Sequence, residues 1–288
     1  MSLPVVVGID GSERSAAAAR WAAHEAHRRG AGLRMVHVSE ARGEVPGREE
    51  HGTVDRLPQF ALRLRDRMAA ALPALEIRCQ QIPGQAHYAL AAAGEQGALL
   101  VLGSRGLGAV AGLLTGSVGL RAAAHARCPV VLVPAGSTGA GTGAGEVLVG
   151  VSRRRPGDAV LGFAFEEAAR RGAVLRVLEG WTAPPGPYAT RAPVSRAEIR
   201  PSFAAAELLR LQDGLGRWRE KFPEVRTEVE LVDGDAAAAL LAAAQRADLL
   251  VLGRSGPAHP LAAPRLGPIA HAVLHRAPCP VALVPHTA

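Results

Sequence analysis

A chain of 288 residues exceeds the roughly 100–200 residues of one ordinary domain, so two domains are the starting expectation. With 48% hydrophobic and 20% charged residues a disordered chain is excluded, and 3% aromatics requires cores of Val, Leu, Ile and Ala, as in buried parallel strands under Ala-rich helices. The net charge of +7 is scattered, without a long basic block, aromatic and Arg interleaving or zinc-finger spacing, so no nucleic acid and no membrane is expected as partner.

In chain order the first half reads as strand Leu3–Ile9, helix Ser12–Arg29, strand Leu33–Val38, a polar loop to about Leu57 and a helix to Leu72. Strand Glu76–Ile82, helix Ala86–Gln96, strand Leu99–Gly103, a Gly-rich loop, helix Gly116–Ala126 and strand Val130–Val133 follow. Strands alternating with helices imply a parallel sheet covered on both faces, with ligands bound beyond the carboxyl ends of the strands where strand order reverses.

The chain then repeats itself. "ALLVLGSRG" ending at Gly106 matches "DLLVLGRSG" ending at Gly256, and "HARCPVVLVP" ending at Pro134 matches "HRAPCPVALVP" ending at Pro285. Gly8 lies 142 positions before Gly150, Gly103 lies 150 before Gly253, and Cys128 lies 151 before Cys279. The second copy therefore carries about eight extra residues before its fourth strand, placed in the Pro-rich stretch "TAPPGPYATRAP", and one more between Gly256 and Gly267. These matches divide the chain into domains 1–134 and 146–288, joined by a Gly/Ala/Ser/Thr linker at 135–145.

After the fourth strand, Gly103, Gly106, Gly116 and Ser117 stand in the spacing G-x2-G-x9-G-S. Glycine lets the backbone approach a ribose or phosphate closely, and Gly116, Ser117 and Val118 open a helix whose free N–H groups face an anion. No G-x4-G-K-[ST] loop exists, and Lys221, the only lysine, lies in the other half. Phosphate must then be held by backbone amides, Ser117 and Arg105. A dinucleotide fingerprint fails as well, because its glycines would follow the first strand.

"VVVGIDGSERS", the glycine spacing and "ARCPVVLV" together resemble the universal stress protein family, over residues 3–134 and more weakly over 146–285. The resemblance implies two tandem doubly wound α/β domains, Rossmann-like and of the adenine nucleotide alpha hydrolase type, each a five-stranded parallel sheet. It also implies ATP, with or without Mg²⁺, as the ligand. Carried over position by position, Asp10 contacts the ribose or phosphate region, Val38 meets adenine through its backbone, and Gly103, Gly106, Gly116, Ser117 and Val118 hold ribose and phosphates. Gly119 stands where the family often has a second hydroxyl residue, which would weaken binding by about ten- to a hundred-fold. Family final strands often pair edge to edge, so Val130–Val133 and Val281–Val284 are expected to make an intramolecular pseudo-dimer, with a homodimer of whole chains as a further expectation.

The second copy departs from this pattern. Ser152 replaces Asp10, "SRRRPG" replaces "DGSERS", and Pro268 replaces Ser117, removing a hydroxyl and an N–H together. We read it as a structural or regulatory half, with Ser152–Arg155 a solvated loop or an attractor of some other anion.

Blander readings compete for several residues. Asp10 in Asp-Gly-Ser would serve equally as a turn or helix cap if it stood alone. His24, His27 and His37 have no metal-ligand partners nearby, and Cys79, Cys128 and Cys279 form neither a disulfide framework nor a zinc motif. With no secretory leader, no long apolar span and no assignable nucleophile, the expectation is a cytoplasmic ATP-binding regulator acting through unidentified protein partners, not an enzyme. The alternatives are an empty interaction module and a slow ATPase or ATP-dependent enzyme.

Overall fold

The computed structural model describes residues 2–39, 57–104, 118–136, 145–152, 157–181, 196–255 and 266–286. The first half runs β1 (Val5–Gly8), α1 (Glu13–Arg28), β2 (Leu33–Ser39), α2 (Gln59–Ala71), β3 (Ile77–Pro83), α3 (Ala86–Gly94), β4 (Leu99–Gly103), α4 (Val118–His125) and β5 (Val130–Val133). The second runs β6 (Glu146–Val151), α5 (Asp158–Arg171), β7 (Val174–Trp181), α6 (Arg196–Lys221), β8 (Thr227–Asp233), α7 (Ala236–Ala243), β9 (Leu249–Ser255), α8 (Pro268–Leu274) and β10 (Val281–His286). The eight-residue excess falls between β7 and β8, since Leu33 and Leu175 differ by 142 positions and their partners Ile77 and Thr227 by 150. α6 more than absorbs it, with 26 residues against 13 in α2, and the connection that leads into α6 is correspondingly shorter than the one before α2.

Each half has the strand order 3-2-1-4-5, with every neighbour parallel, and β5 pairs antiparallel with β10, so the two halves share one ten-stranded sheet. The seam register is Val130 to Leu283, Val131 to Ala282 and Leu132 to Val281. Because the copies differ here by 151 positions, Val131 faces its own counterpart, and a pseudo-two-fold axis passes through that pair. The last strands thus pair as the sequence suggested, each covering the other's edge. The outer edges, β3 and β8, carry Arg78, Gln80, Glu228 and Glu230, the kind of polar edge that discourages strand addition.

Alternation along the strands supplies two cores. Val5 and Val7 face a cluster with α1, α2, α5 and α6, whereas Val6 faces the opposite cluster with α3, α4, α7 and α8. Alanine-rich helices suit both faces, because Ala17, Ala18, Ala19, Ala22 and Ala23 of α1 are all 1% exposed or less and let the helix lie close on the sheet. Ser12 caps α1, its Oγ accepting from the Ser15 N–H at 3.2 Å, and the glycines that follow α1 and α5, Gly30 and Gly172, both adopt φ +58°.

A buried ionic lattice repeats the pseudo-symmetry beside the seam. Glu25 and Arg29 of the first copy correspond to Glu167 and Arg171 of the second, and neither carboxylate is exposed to solvent. Arg29 donates to Glu25 at 2.7 Å and reaches Glu167, while Arg171 donates to Glu25 at 2.6 Å and also contacts Glu167. Arg170 adds a bond to Glu167 at 2.7 Å. Burial pushes the Glu25 carboxyl up, but Arg171 and Arg29 outweigh it and hold it below the usual range. Glu167 is pushed up, by burial and by the Glu25 charge.

Removing one partner would strand a buried charge, which costs about 3–5 kcal/mol, although apolar replacement of a whole lattice can be neutral. Arg171→Ala is therefore expected to lower stability by about 3–5 kcal/mol in urea titration, whereas Arg65→Ala, in the exposed pair with Asp66, should leave the unfolding midpoint essentially unmoved.

Candidate functional site

Strand order reverses between β1 and β4, and a cleft of about 130 Å³ opens there beyond their carboxyl ends. Its lining includes Asp10 after β1, Val38 at the end of β2, Gly103 at the end of β4 and Val118 opening α4. Four of the seven sequence-selected residues therefore share one cleft. Gly106, Gly116 and Ser117, with Arg105, lie outside the described residues.

Asp10 is placed by the turn that leads into α1. Its Oδ1 accepts the Ser12 N–H at 2.9 Å, and Gly11 between them has φ +84°, a conformation that favours glycine. The helix cap is Ser12, and Asp10 stands at an exposed position just before it. Burial raises the Asp10 carboxyl, but hydrogen bonds from Ser12 and Ser15 and the nearby Arg14 charge hold it below the ordinary range. It is ionised at neutral pH.

The two ends of the glycine segment meet across the same cleft. A Cβ on Gly103 would stand 2.8 Å from the Arg14 carbonyl, and one on Gly119 would stand 3.4 Å from the Gly103 oxygen and 3.3 Å from Leu132 Cδ2. Gly119 thus lets α4 lie close on β4 and β5, where a side chain would need its neighbours to yield by a few tenths of an ångström. Several lining residues escaped the sequence reading: Arg14 and Ser15 from the first turn of α1, His37 beside Val38, and Leu90 of α3. Arg14 and Ser15 follow Asp10 by four and five positions, so their approach to the cleft was implicit in the helix start. His37 is half-buried, its Nδ1 3.0 Å from the Ile9 carbonyl and its ring edge-on to Phe60.

The matching place in the second half holds a larger cleft, about 610 Å³, with different chemistry. Ser152 stands for Asp10 and Pro268 is the first residue of α8, so the described lining has no carboxylate. Beyond Gly253, where the first half leaves its strand, β9 continues through Arg254 and Ser255, paired with Pro285 and His286 of β10. Arg254 is also committed: it donates to the Ala124 carbonyl at 3.0 Å and to that of Ala126, closing the end of α4 in the other half. The stretch that leaves the sheet after Gly103 in one copy thus serves as ladder and clamp in the other. Size favours the second cleft and polar chemistry favours the first, where Arg14, Ser12 and Ser15 supply donors beside the Asp10 acceptor and room alone supplies none.

Cys128 and Cys279 are buried before the seam strands, where burial pushes their thiols up to about 11 and about 12. They pack as small apolar side chains. Among the described residues no group of three or more His, Cys, Asp or Glu is arranged to hold a metal ion, and no helix is long and apolar enough to cross a membrane.

The fold and cleft define a tandem, doubly wound α/β protein with its sites at strand-order reversals. The Universal stress protein family matches residues 1–134 and again 144–285, so the chain belongs to that family. It is 30% identical to Universal stress protein Rv1996 of Mycobacterium tuberculosis, over 97% of this chain and 94% of that one. Universal stress protein Rv2005c of the same organism is 29% identical, over 96% and 95% of the two chains. A universal stress protein crystal structure from Archaeoglobus fulgidus superposes with TM-score 0.62 at 16% identity, covering 98% of each chain and showing a shared fold.

Gly103 and Gly253 should separate these clefts experimentally. Gly103→Ala drives a methyl against backbone of α1 and is expected to cost about 1–3 kcal/mol in urea titration. Gly253→Ala meets chiefly the movable His286 ring and should cost less than half as much.

Proposed function

We propose that this protein is a nucleotide-dependent regulator that binds one ATP, with or without Mg²⁺, in the cleft of its first half, while its second half binds none. The observation that carries the reading is the ionised Asp10 carboxylate sharing a cleft with Gly103 and the first residue of α4. In this reading Val38 lies against the adenine, Asp10 takes a ribose hydroxyl or a Mg²⁺, and the segment from Gly103 through Gly106 and Gly116 to Ser117 and Val118 holds ribose and phosphates with main-chain amides. The described walls support such a ligand: Asp10 offers a charged acceptor, and Arg14 lines the same cleft as a cation. Membership of a stress-response family supports a cytoplasmic role in stress, dormancy or hypoxia, exerted through protein partners. ATP acts there only by binding one conformational or assembly state more tightly than another.

The rival readings predict different measurements. An enzyme would turn ATP over rapidly, and an empty interaction module would neither copurify with nucleotide nor be stabilised by it. Mass spectrometry of nucleotide released from denatured protein, with calorimetric titration of ATP, decides between them. One equivalent of ATP per chain is expected. Asp10→Asn should weaken binding by about ten- to a hundred-fold, the loss of one charge-assisted contact, and Pro268→Ala should change it by less than about two-fold. Two equivalents per chain would overturn the assignment of the second half, and no nucleotide together with no thermal shift in millimolar Mg-ATP would overturn that of the first.

A further inference from the structure

α8 carries a pair of side chains with no counterpart in the first copy. His271 and His275 lie one helical turn apart with their Nε2 atoms 3.4 Å from each other and their rings inclined at 63°. At the same positions, 151 residues earlier, α4 has Leu120 and Ala124. The pair is therefore not something the shared fold requires. Nor does it build the core: α8 buries Ala270, Val273 and Leu274, while both histidines are exposed.

The separation has a chemical meaning. Two nitrogens bound to a tetrahedral zinc ion at about 2.0–2.1 Å stand about 3.3–3.4 Å apart, whereas a square-planar ion at similar bond lengths brings them to about 2.9 Å. The histidine nitrogens stand at the tetrahedral spacing with no rearrangement of the helix.

We propose that His271 and His275 form a bidentate site for a tetrahedral divalent cation of the zinc class, each ligating through Nε2, with water in the remaining positions. Among the described residues no further His, Cys, Asp or Glu completes the set, so the site is open and exchangeable, unlike a closed four-ligand structural zinc. Its place is informative. The first turn of α8, Gly267 to Ala270, walls the second cleft, and a cation on the last turn pins the same short helix. The half that has lost the carboxylate and the phosphate-facing N–H has gained a cation clamp on the equivalent helix.

Calorimetric titration of the untagged full chain with zinc chloride, in a non-chelating buffer, tests the proposal. The wild type is expected to bind one zinc at this site, with binding weakened about ten-fold or more in both His271→Ala and His275→Ala, because either change destroys the chelate. His125→Ala, on α4, should bind as wild type. Both α8 positions are exposed, so metal-free thermal melts of these two variants should overlay the wild type, and zinc should raise the melting point of the wild type and of His125→Ala but not theirs. No zinc binding by the wild type up to millimolar concentration, or wild-type affinity in either α8 variant, would overturn the assignment.

Discussion

Val131 of β5 faces Ala282 of β10, its own counterpart, and from that contact the arrangement of both halves follows. An antiparallel register symmetric about one pair turns two parallel five-stranded sheets into a single sheet of ten and consumes the edge that each would otherwise expose. It also sets α1 and α5 where the guanidinium groups of Arg29 and Arg171 reach both Glu25 and Glu167. Neither carboxylate would be tolerable alone in that apolar setting. The lattice is a consequence of the seam, and it penalises any other way of docking the halves.

Within this symmetric frame the two clefts have diverged. The first keeps an ionised carboxylate at Asp10 with Arg14 beside it in the cleft, Gly103 where α1 packs close, and Val118 at the start of α4. In the second, each of those features has been redirected. Serine replaces the carboxylate, proline occupies the first helical position, and the chain that should leave the sheet after Gly253 stays in it for two more residues. Arg254 then fastens the far end of α4 across the seam, so the residue after Gly253 braces the first half.

Much of this was legible in the residues. Short Val- and Leu-rich runs and Ala-rich helices between them specified the alternation, and the matched endings at Pro134 and Pro285 specified the duplication. The cleft was legible because glycines needed for close approach cannot be replaced without loss, and Asp10, Val38, Gly103 and Val118 do converge. Three things were harder. The extra length in the second copy reads as a Pro-rich loop, yet the gain in α6 exceeds it, since helix length depends on tertiary cover as well as local propensity. The ionic lattice had a signal, "EAHRRG" at Glu25 and "EAARRG" at Glu167, but a helical E-x3-R pair reads as a solvated face until the seam buries it. Gly119 looked like a missing hydroxyl, and only its contact with Leu132 and Gly103 explains why a side chain is disfavoured there.

The central claim is that one half grips adenine nucleotide and the other does not. Photolabelling the full chain with an azido-adenosine triphosphate, followed by peptide mapping, addresses it directly. Adducts confined to peptides from residues 1–134, and competed away by ATP, are the predicted result. Labelled peptides from residues 146–288, or labelling that ATP does not suppress, would contradict it.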